Sequence, residues 1–572
     1  MDYFIIDASA PFFACAELPA GETINWSKAP FRALERDGTL RAELCDAIVA
    51  QFETYAGRVA SLGYNTVTLD DVAHMVECDF YPPALRRKIA AYQSLYDRCI
   101  EIALRCGLKV LVTTDVMFFN QYIERQTGGR AVRALHLLST CLRRLFVRFP
   151  HIHGVVMRIG EADGVDVRDD FHSRLILRTP GQCRRLIRDL LPLFEKHDRV
   201  MVVRTWTLGA YKIGDLIWNR RTYDAVFGGI YSRSLIVSHK FGDTDFYRYL
   251  TLNELLFEGS HRTVVELQAR REYEGLGEFP SFIGFDYEDF ARQLEQCRNI
   301  AGISVWCQTG GWARMRRLTF LSPSPWNEIN AAVTIKIFRE RMSARAAVEA
   351  YCRESMPGKD PEKLMKLLAY SDAIIKQLWY LPEYSSQRLY FRRVRIPPLI
   401  WIFWDTLVVN HFLRKTLRGL VRRRREAVRE AYDALYKIRR MRALACELGF
   451  DCRDFDMQYD TFRLCALARE YFLGDYSREL QKRFTAAVAA YESAYPHGFK
   501  VEYDFAPTRI KREVIQFILA VCMRRRPSYR LIDRLFLVRL TGWLYPLIKI
   551  WERRRFPEFT QKQAMGIQVL FK

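Results

Sequence analysis

The chain of 572 residues is too long for one ordinary hydrophobic core, which predicts two domains or one large barrel with an added region. Hydrophobic residues make up 49% and charged residues 27%, so the composition excludes a globally disordered chain. The formal net charge is +22, and residues 507–572 carry 15 Lys and Arg against 4 Asp and Glu. The charge therefore predicts a basic tail and favours an anionic partner.

The N-terminal segment has no basic region followed by a long apolar run, so we expect no secretory signal there. The 14 cysteines follow no regular spacing, which favours free thiols in a reducing compartment over a disulfide framework. CxxC pairs, HExxH, Walker and Rossmann motifs are absent from the sequence. We therefore expect a cytoplasmic protein with no cofactor and no metal, and without a nucleic-acid partner, since no reader motif accompanies the charge.

Eight short runs rich in Val and Ile recur through the first 310 residues, separated by amphipathic helical segments. Their nearly continuous apolar character is typical of strands that are buried on both faces. Eight strand–helix alternations predict an α/β fold of the (β/α)8 barrel type, with a doubly wound open sheet as the competing layout. The predicted strands are Tyr3–Asp7, Asn65–Leu69, Lys109–Thr113, Gly154–Arg158, Arg199–Arg204, Leu235–Ser238, Val264–Gln268 and Gly302–Trp306.

The pattern changes after Pro325, where helical periodicity dominates to the end of the chain. We therefore predict a catalytic barrel over residues 1–325 and a helical domain over residues 326–572, which ends in the basic tail at about 507–572. Residues 397–413 are almost wholly apolar, but they are short for a membrane-spanning helix and start at two prolines. A buried core helix is the alternative for that segment.

Residues 530–555 combine a wide apolar face with Arg, Lys and three aromatic residues at helical spacing. This composition favours a helix that lies in a membrane interface, so we expect a peripheral contact with an anionic inner-membrane surface. A buried helix with extended basic side chains remains the alternative, and a homodimer stays open.

Three acidic residues follow predicted strands of the barrel: Glu161, Asp245 and Glu272. Barrel enzymes carry their chemistry at the C-terminal ends of the strands. Glycoside hydrolysis needs one carboxylic acid to protonate the leaving oxygen and a carboxylate to activate water or attack the sugar. The three acids therefore predict a glycosidase.

Three cations, Arg158, Arg204 and Lys240, lie at the ends of the fourth, fifth and sixth predicted strands. An Arg fork and a Lys point charge suit a carboxylate on the substrate. The alternative is that these cations neutralise the acids as structural ion pairs. We favour a substrate that carries negative charge.

Four segments occur in the order RIGEADG, VRTWT, KFGDTDFYR and ELQARREYEG. Their order and spacing resemble the catalytic barrel of the family-67 α-glucuronidases over roughly residues 55–350. The D-F-x-x-R motif is intact at Asp245, Phe246 and Arg248, and E-x-Q-x-x-x-E-Y-x-G is intact over residues 266–275. The family's N-terminal β domain is missing from this resemblance, and Ile159 and Gly160 stand where the family has Asn-Ser.

The resemblance implies an inverting hydrolase of a terminal uronic acid. It implies that Glu161 is the general acid and that Asp245 and Glu272 position and deprotonate the water. It further implies that Arg204 and Lys240 hold the uronate carboxylate. Arg158, Glu266 and Trp206 complete the expected substrate contacts.

The substrate that we expect is an anionic oligosaccharide or exopolysaccharide fragment. Two alternatives stay open. One is a membrane-peripheral transglycosylase or glycan-assembly enzyme that uses a lipid-linked anionic sugar. The other is a barrel without turnover that binds an anionic glycan.

Overall fold

A computed structural model describes residues 1–160, 170–207, 211–322, 325–507, 513, 520 and 523–526. Eight parallel strands close into a barrel, which confirms the predicted (β/α)8 fold and excludes the open sheet. We number them β1 to β8 in chain order. Their bounds are Tyr3–Asp7, Thr66–Leu69, Lys109–Asp115, Gly154–Gly160, Val200–Thr207, Leu235–Lys240, Thr263–Gln268 and Ile300–Trp306.

The barrel interior is filled by a small apolar cluster to which most strands contribute, as expected for inward-facing side chains of parallel strands. A second, much larger cluster lies between the strands and the surrounding helices, and it continues into the C-terminal half of the chain. The helices that follow the strands in order are Ala42–Ser61, Pro83–Arg105, Ala131–Arg148, Pro180–Lys196, Arg220–Phe227, Leu255–Glu258, Gly284–Leu294 and Pro325–Glu340.

The helix Pro325–Glu340 is buried along nearly its whole length. It packs against the helix Gly284–Leu294, and the Tyr64 hydroxyl donates to the carbonyl of Ala331 over 2.8 Å. It therefore lies against the barrel, although the predicted boundary at 325 assigns it to the second domain. The division into 1–325 and 326–572 stays a prediction.

The C-terminal half is mainly helical. Its described helices are Ala344–Ser355, Pro361–Ile374, Ile375–Trp379 (a π-helix), Pro382–Ser385, His411–Leu420, Arg424–Glu447, Cys452–Leu473 and Arg478–Ala494. A disulfide joins Cys446 to Cys452 across the turn between two of these helices, which the scattered cysteine pattern did not predict. Among the described residues, no helix has both the length and the apolar run that crossing a bilayer requires.

The apolar segment 397–413 is neither a spanning helix nor a core helix, so that expectation was wrong. It forms an antiparallel pair of strands, Ile402–Phe403 and Thr406–Asn410, and the second strand also pairs in parallel with Lys500–Asp504. Two prolines at its start oppose a helix, and its β-branched and aromatic residues favour a pleated strand. Trp404 occupies the turn between the two strands with φ of 54°.

Residues 530–555, the predicted interfacial helix, lie outside the described residues, so the membrane contact stays a prediction.

Candidate active site

A cavity of about 90 Å³ opens at the C-terminal ends of the barrel strands, where parallel strands bring their last side chains together. Register places Arg158 of β4 beside Arg204 of β5, and Lys240 of β6 beside Glu266 of β7. The described lining residues are Ser27, Arg158, Arg204, Trp206, Lys240, Asp245, Phe246, Glu272, Tyr273, Trp306, Thr309, Gly310, Gly311, Trp312 and Trp404.

Asp245 lies in the loop after β6, and its carboxylate accepts three hydrogen bonds. Lys240 Nζ lies 2.5 Å from Oδ1, and the backbone N–H of Phe246 donates to the same oxygen over 2.9 Å. The hydroxyl of Tyr273 donates to Oδ2 over 3.0 Å. This negative charge is therefore fixed in place by groups from two adjacent loops.

Glu272 lies in the loop after β7, with 5% of its surface exposed. Its carboxylate accepts a bond from Gln268 Nε2 over 3.0 Å, while its own N–H donates to Gln268 Oε1 over the same distance. Burial and the negative charge of Asp245 raise the pKa of Glu272 to about 7, although Lys240 opposes the shift. Glu272 is therefore a carboxyl group that can give or take a proton near neutral pH.

Two glycines after β8 bring the backbone close to that carboxyl. Gly310 and Gly311 have φ of +118° and +86°, a backbone conformation that residues other than glycine rarely adopt. A Cβ at Gly310 would lie 2.1 Å from Glu272 Oε2. The glycine pair therefore leaves the space that the Glu272 carboxyl occupies.

Arg204 projects from β5 and is held by Glu266 of β7. Nε and Nη2 of Arg204 donate to the two oxygens of Glu266 over 2.9 and 2.8 Å. The ring centre of Trp306 lies 4.5 Å from the guanidinium carbon of Arg204. The indole N–H of Trp306 donates to Glu266 over 3.2 Å. Burial alone would raise the pKa of Glu266, but Arg204 and Lys240 hold that pKa below the ordinary value.

Lys240 is enclosed by aromatic rings as well as by Asp245. Its Nζ lies 3.9 Å from the ring centre of Trp206 and 4.6 Å from that of Phe246. Aromatic faces attract a cation, so both rings help to fix the ammonium group. Lys240 is thus 5% exposed and still reaches the cavity.

Arg158 is also paired. Its Nε lies 2.8 Å from Asp115 Oδ1, and its Nη1 donates to the carbonyl of Ser27 over 3.0 Å. Lys28 bonds the other oxygen of Asp115. Each of the three predicted cations therefore has a carboxylate partner, which is the structural role that the sequence left open beside substrate binding.

The structure brings six of the eight predicted catalytic and binding residues together in one lining: Arg158, Arg204, Trp206, Lys240, Asp245 and Glu272.

Glu266 is not among the described lining residues, and its carboxylate accepts hydrogen bonds from Arg204. Glu161, the predicted general acid, lies outside the described residues. The roles assigned to all these residues stay predictions.

Sequence reasoning did not assign a role to several residues of the site. Tyr273 and Gln268 belong to the motif that was recognised, but their contacts were not foreseen. Trp312 and the two glycines lie in the segment after β8, which ends at Trp306, so their position after a strand could have indicated them. Trp404 comes from the segment that was expected to be a helix.

No family model matches the chain, and no curated protein sequence does. Among solved structures, a GH138 enzyme targeting pectin rhamnogalacturonan II aligns with 87% of this chain at 10% identity and a TM-score of 0.49. The alignment covers 62% of that enzyme. An O-GlcNAc hydrolase of Thermobaculum terrenum aligns with 88% of this chain at 9% identity and a TM-score of 0.38, over 94% of its own length. A beta-mannanase from the blue mussel Mytilus edulis aligns with 52% at 12% identity and 0.30, over 86% of its length.

Proposed function

We propose that the protein is a glycoside hydrolase that removes a terminal uronic acid from an oligosaccharide or exopolysaccharide fragment. The observation that carries this proposal is the pair Asp245 and Glu272, which lie together at the mouth of a (β/α)8 barrel. Tyr273, the chain neighbour of Glu272, donates its hydroxyl to Asp245. Most glycoside hydrolases use a pair of carboxyl groups in different roles, and the raised pKa of Glu272 suits it to one of those roles.

Glu272 is the better candidate for the group that takes a proton from water. Its pKa of about 7 gives it much greater basicity than an ordinary carboxylate, and a base works best with a pKa near the operating pH. Asp245 maintains that basicity through its negative charge and orients the water. The general acid of this inverting scheme is Glu161, as the family-67 resemblance implies.

Charge recognition rests on Arg204, Arg158 and Lys240. The three cations line the cavity, whereas two of their counter-ions, Asp115 and Glu266, are not among the described lining residues. Described lining charges are therefore three positive against the two carboxyls of the catalytic pair. A uronate carboxylate adds a negative group to a lining with a positive excess, and the Trp side chains supply flat apolar faces for a sugar ring.

The test of uronate recognition compares aryl uronides with the matching neutral aryl hexosides. Arg204→Gln keeps hydrogen-bonding groups but removes the charge. It should therefore weaken the binding of the uronide and not that of the hexoside, by about 1.5–3 kcal/mol for one charge-assisted contact. Arg220→Gln is the matched control, because Arg220 pairs with Asp224 on the surface. Equal losses on both substrates in Arg204→Gln would contradict uronate recognition and leave a hydrolase of neutral sugars.

A further inference from the structure

Arg248 and Glu274 are two fully buried charged residues close to the catalytic pair in sequence. Arg248 lies three residues after Asp245, and Glu274 lies two residues after Glu272. Their side chains are 0% exposed and meet with Arg248 Nε 3.2 Å from Glu274 Oε2. One ion pair therefore joins the loop that carries Asp245 to the loop that carries Glu272.

Further contacts fix each end of this pair. Arg248 Nη2 donates to the carbonyl of Phe282 over 2.5 Å. Arg271 Nε and Nη2 donate to the two oxygens of Glu274 over 3.1 and 2.7 Å, and the Ser281 hydroxyl donates to Oε2 over 2.6 Å. The arginines hold the pKa of Glu274 at about 2 against the effect of burial, so the carboxylate stays charged.

The C-terminal half of the chain completes the connection. Asp372 forms an ion pair with Arg248. The hydroxyl of Tyr380 donates to Glu274 Oε1 over 2.8 Å and accepts the backbone N–H of Arg248 over 3.1 Å. The indole of Trp379 donates to the carbonyl of Tyr273 over 2.7 Å. Residues of the C-terminal half thus contact both catalytic loops from outside the barrel.

We propose that Arg248, Glu274 and Tyr380 are positioning residues that hold Asp245 and Glu272 at their working separation. None of the three is among the described residues that line the cavity, so they act through the loops and do not touch substrate. The role in catalysis rests on the proposed hydrolase function, but the positioning itself does not. It makes the helical half part of the active site.

The direct test is the geometry of the pair in crystal structures of full-length variants. Tyr380→Phe removes only the hydroxyl that joins the two loops, and Arg248→Lys removes the planar fork. Arg393→Lys is the matched control, because Arg393 pairs with the buried Asp215 and joins a different barrel loop to the helical half. We expect a shift of about 1 Å between the carboxyls of Asp245 and Glu272 in the first two variants and none in the control.

A second readout is the pH profile of hydrolysis, since the proton affinity of Glu272 depends on its charged neighbours. The charged neighbours are Asp245, Lys240 and Arg270, and the neutral side chain of Tyr273 also acts on Glu272. A misplacement of about 1 Å should lower turnover by about 10²-fold and move the midpoint of the profile. Arg393→Lys should change neither the turnover nor the midpoint of the pH profile.

An unchanged carboxyl separation in Tyr380→Phe and Arg248→Lys overturns the proposal. If Arg248→Lys fails to fold, Tyr380→Phe decides alone, because it removes a single oxygen. If the parent protein hydrolyses no glycoside, the crystallographic separation still decides the positioning role, and only the hydrolase function fails.

Discussion

Tyr273 donates its hydroxyl to Asp245 Oδ2 over 3.0 Å, although Tyr273 is the chain neighbour of Glu272. The tyrosine ring stacks on Tyr247 with 4.2 Å between ring centres, which fixes the direction of the hydroxyl. Burial and the charge of Asp245 raise the pKa of Tyr273 well above its ordinary value, so the hydroxyl keeps its proton. Tyr273 therefore ties the Asp245 carboxylate to the chain segment that carries Glu272.

Tyr273→Phe should lower turnover by about 10- to 100-fold, because the carboxylate loses one donor worth about 1.5–3 kcal/mol. Steady-state kinetics on an aryl uronide measures this loss. Tyr249→Phe is the control, since that hydroxyl donates to the carbonyl of Lys376 away from the cavity. Similar kinetics in both variants would show that the Tyr273 hydroxyl has no part in the reaction.

Glu272→Gln should make the protein more stable at pH 8 while leaving its stability near pH 4 almost unchanged. The pKa of Glu272 is about 7 in the folded chain and near 4.5 in the unfolded chain. A raised carboxyl pKa gives full stability below pH 4.5, and that stability is lost as pH rises through 7. Removal of the ionisable group should thus gain about 1–3 kcal/mol at pH 8.

Denaturant unfolding of the parent and of Glu272→Gln at pH 4, 6 and 8 measures this effect. Glu101→Gln is the matched control, because it makes the same change at an exposed position of the helix Pro83–Arg105. A difference between parent and Glu272→Gln that does not change with pH would contradict the raised pKa.

Gly310→Ala should lower stability and turnover more than Gly107→Ala, the same change at another glycine with positive φ. Both changes strain the backbone, by about 1 kcal/mol each. Only the alanine at 310 would also lie 2.1 Å from Glu272 Oε2, whereas a Cβ at Gly107 meets no described atom within 4 Å. Thermal unfolding and turnover of both variants measure the difference, and equal effects would show that Gly310 does not shape the carboxyl site.

The strand pattern predicted the barrel because buried parallel strands read as continuous apolar runs, and each of the eight predicted runs overlaps an observed strand. Arg204 and Lys240 were predictable for the same reason, since strand ends converge in a barrel. The partner of Arg204 was not predictable, because Glu266 lies two strands away in the barrel. The partner of Arg158 was not predictable either, because the contact with Asp115 depends on a strand register that the sequence does not specify.

Trp404 shows where periodicity failed. Its segment is almost wholly apolar, and such a run does not distinguish a buried strand from a buried helix. Thr406–Asn410 pairs with Lys500–Asp504, nearly a hundred residues later in the chain. This pairing makes the segment a strand. The contacts of Arg248 with Asp372 and Tyr380 depend on equally distant segments, so the sequence could not indicate them.

The basic tail gives a prediction that concerns residues outside the described structure. Basic residues near an anionic surface gain about 1 kcal/mol each, and an amphipathic apolar face adds to that. The full chain should therefore co-sediment with vesicles that contain anionic lipid, and less so at high salt, while a chain without residues 528–572 should not. Vesicles of neutral lipid are the control. An intact chain that ignores anionic vesicles at low salt would favour the buried-helix alternative.

The most direct measurement of the central claim is the pH dependence of kcat/KM for an aryl α-glucuronide, with the parent protein and with Glu272→Gln. If Glu272 is the base, kcat/KM should rise with pH through about 7 as its carboxyl loses the proton. In Glu272→Gln, kcat/KM should then be about 10²–10⁴-fold lower than in the parent across that pH range. Absence of hydrolysis in the parent, or a Glu272→Gln variant as active as the parent, would contradict the proposed function, and a rate that falls through pH 7 would make Glu272 the acid instead.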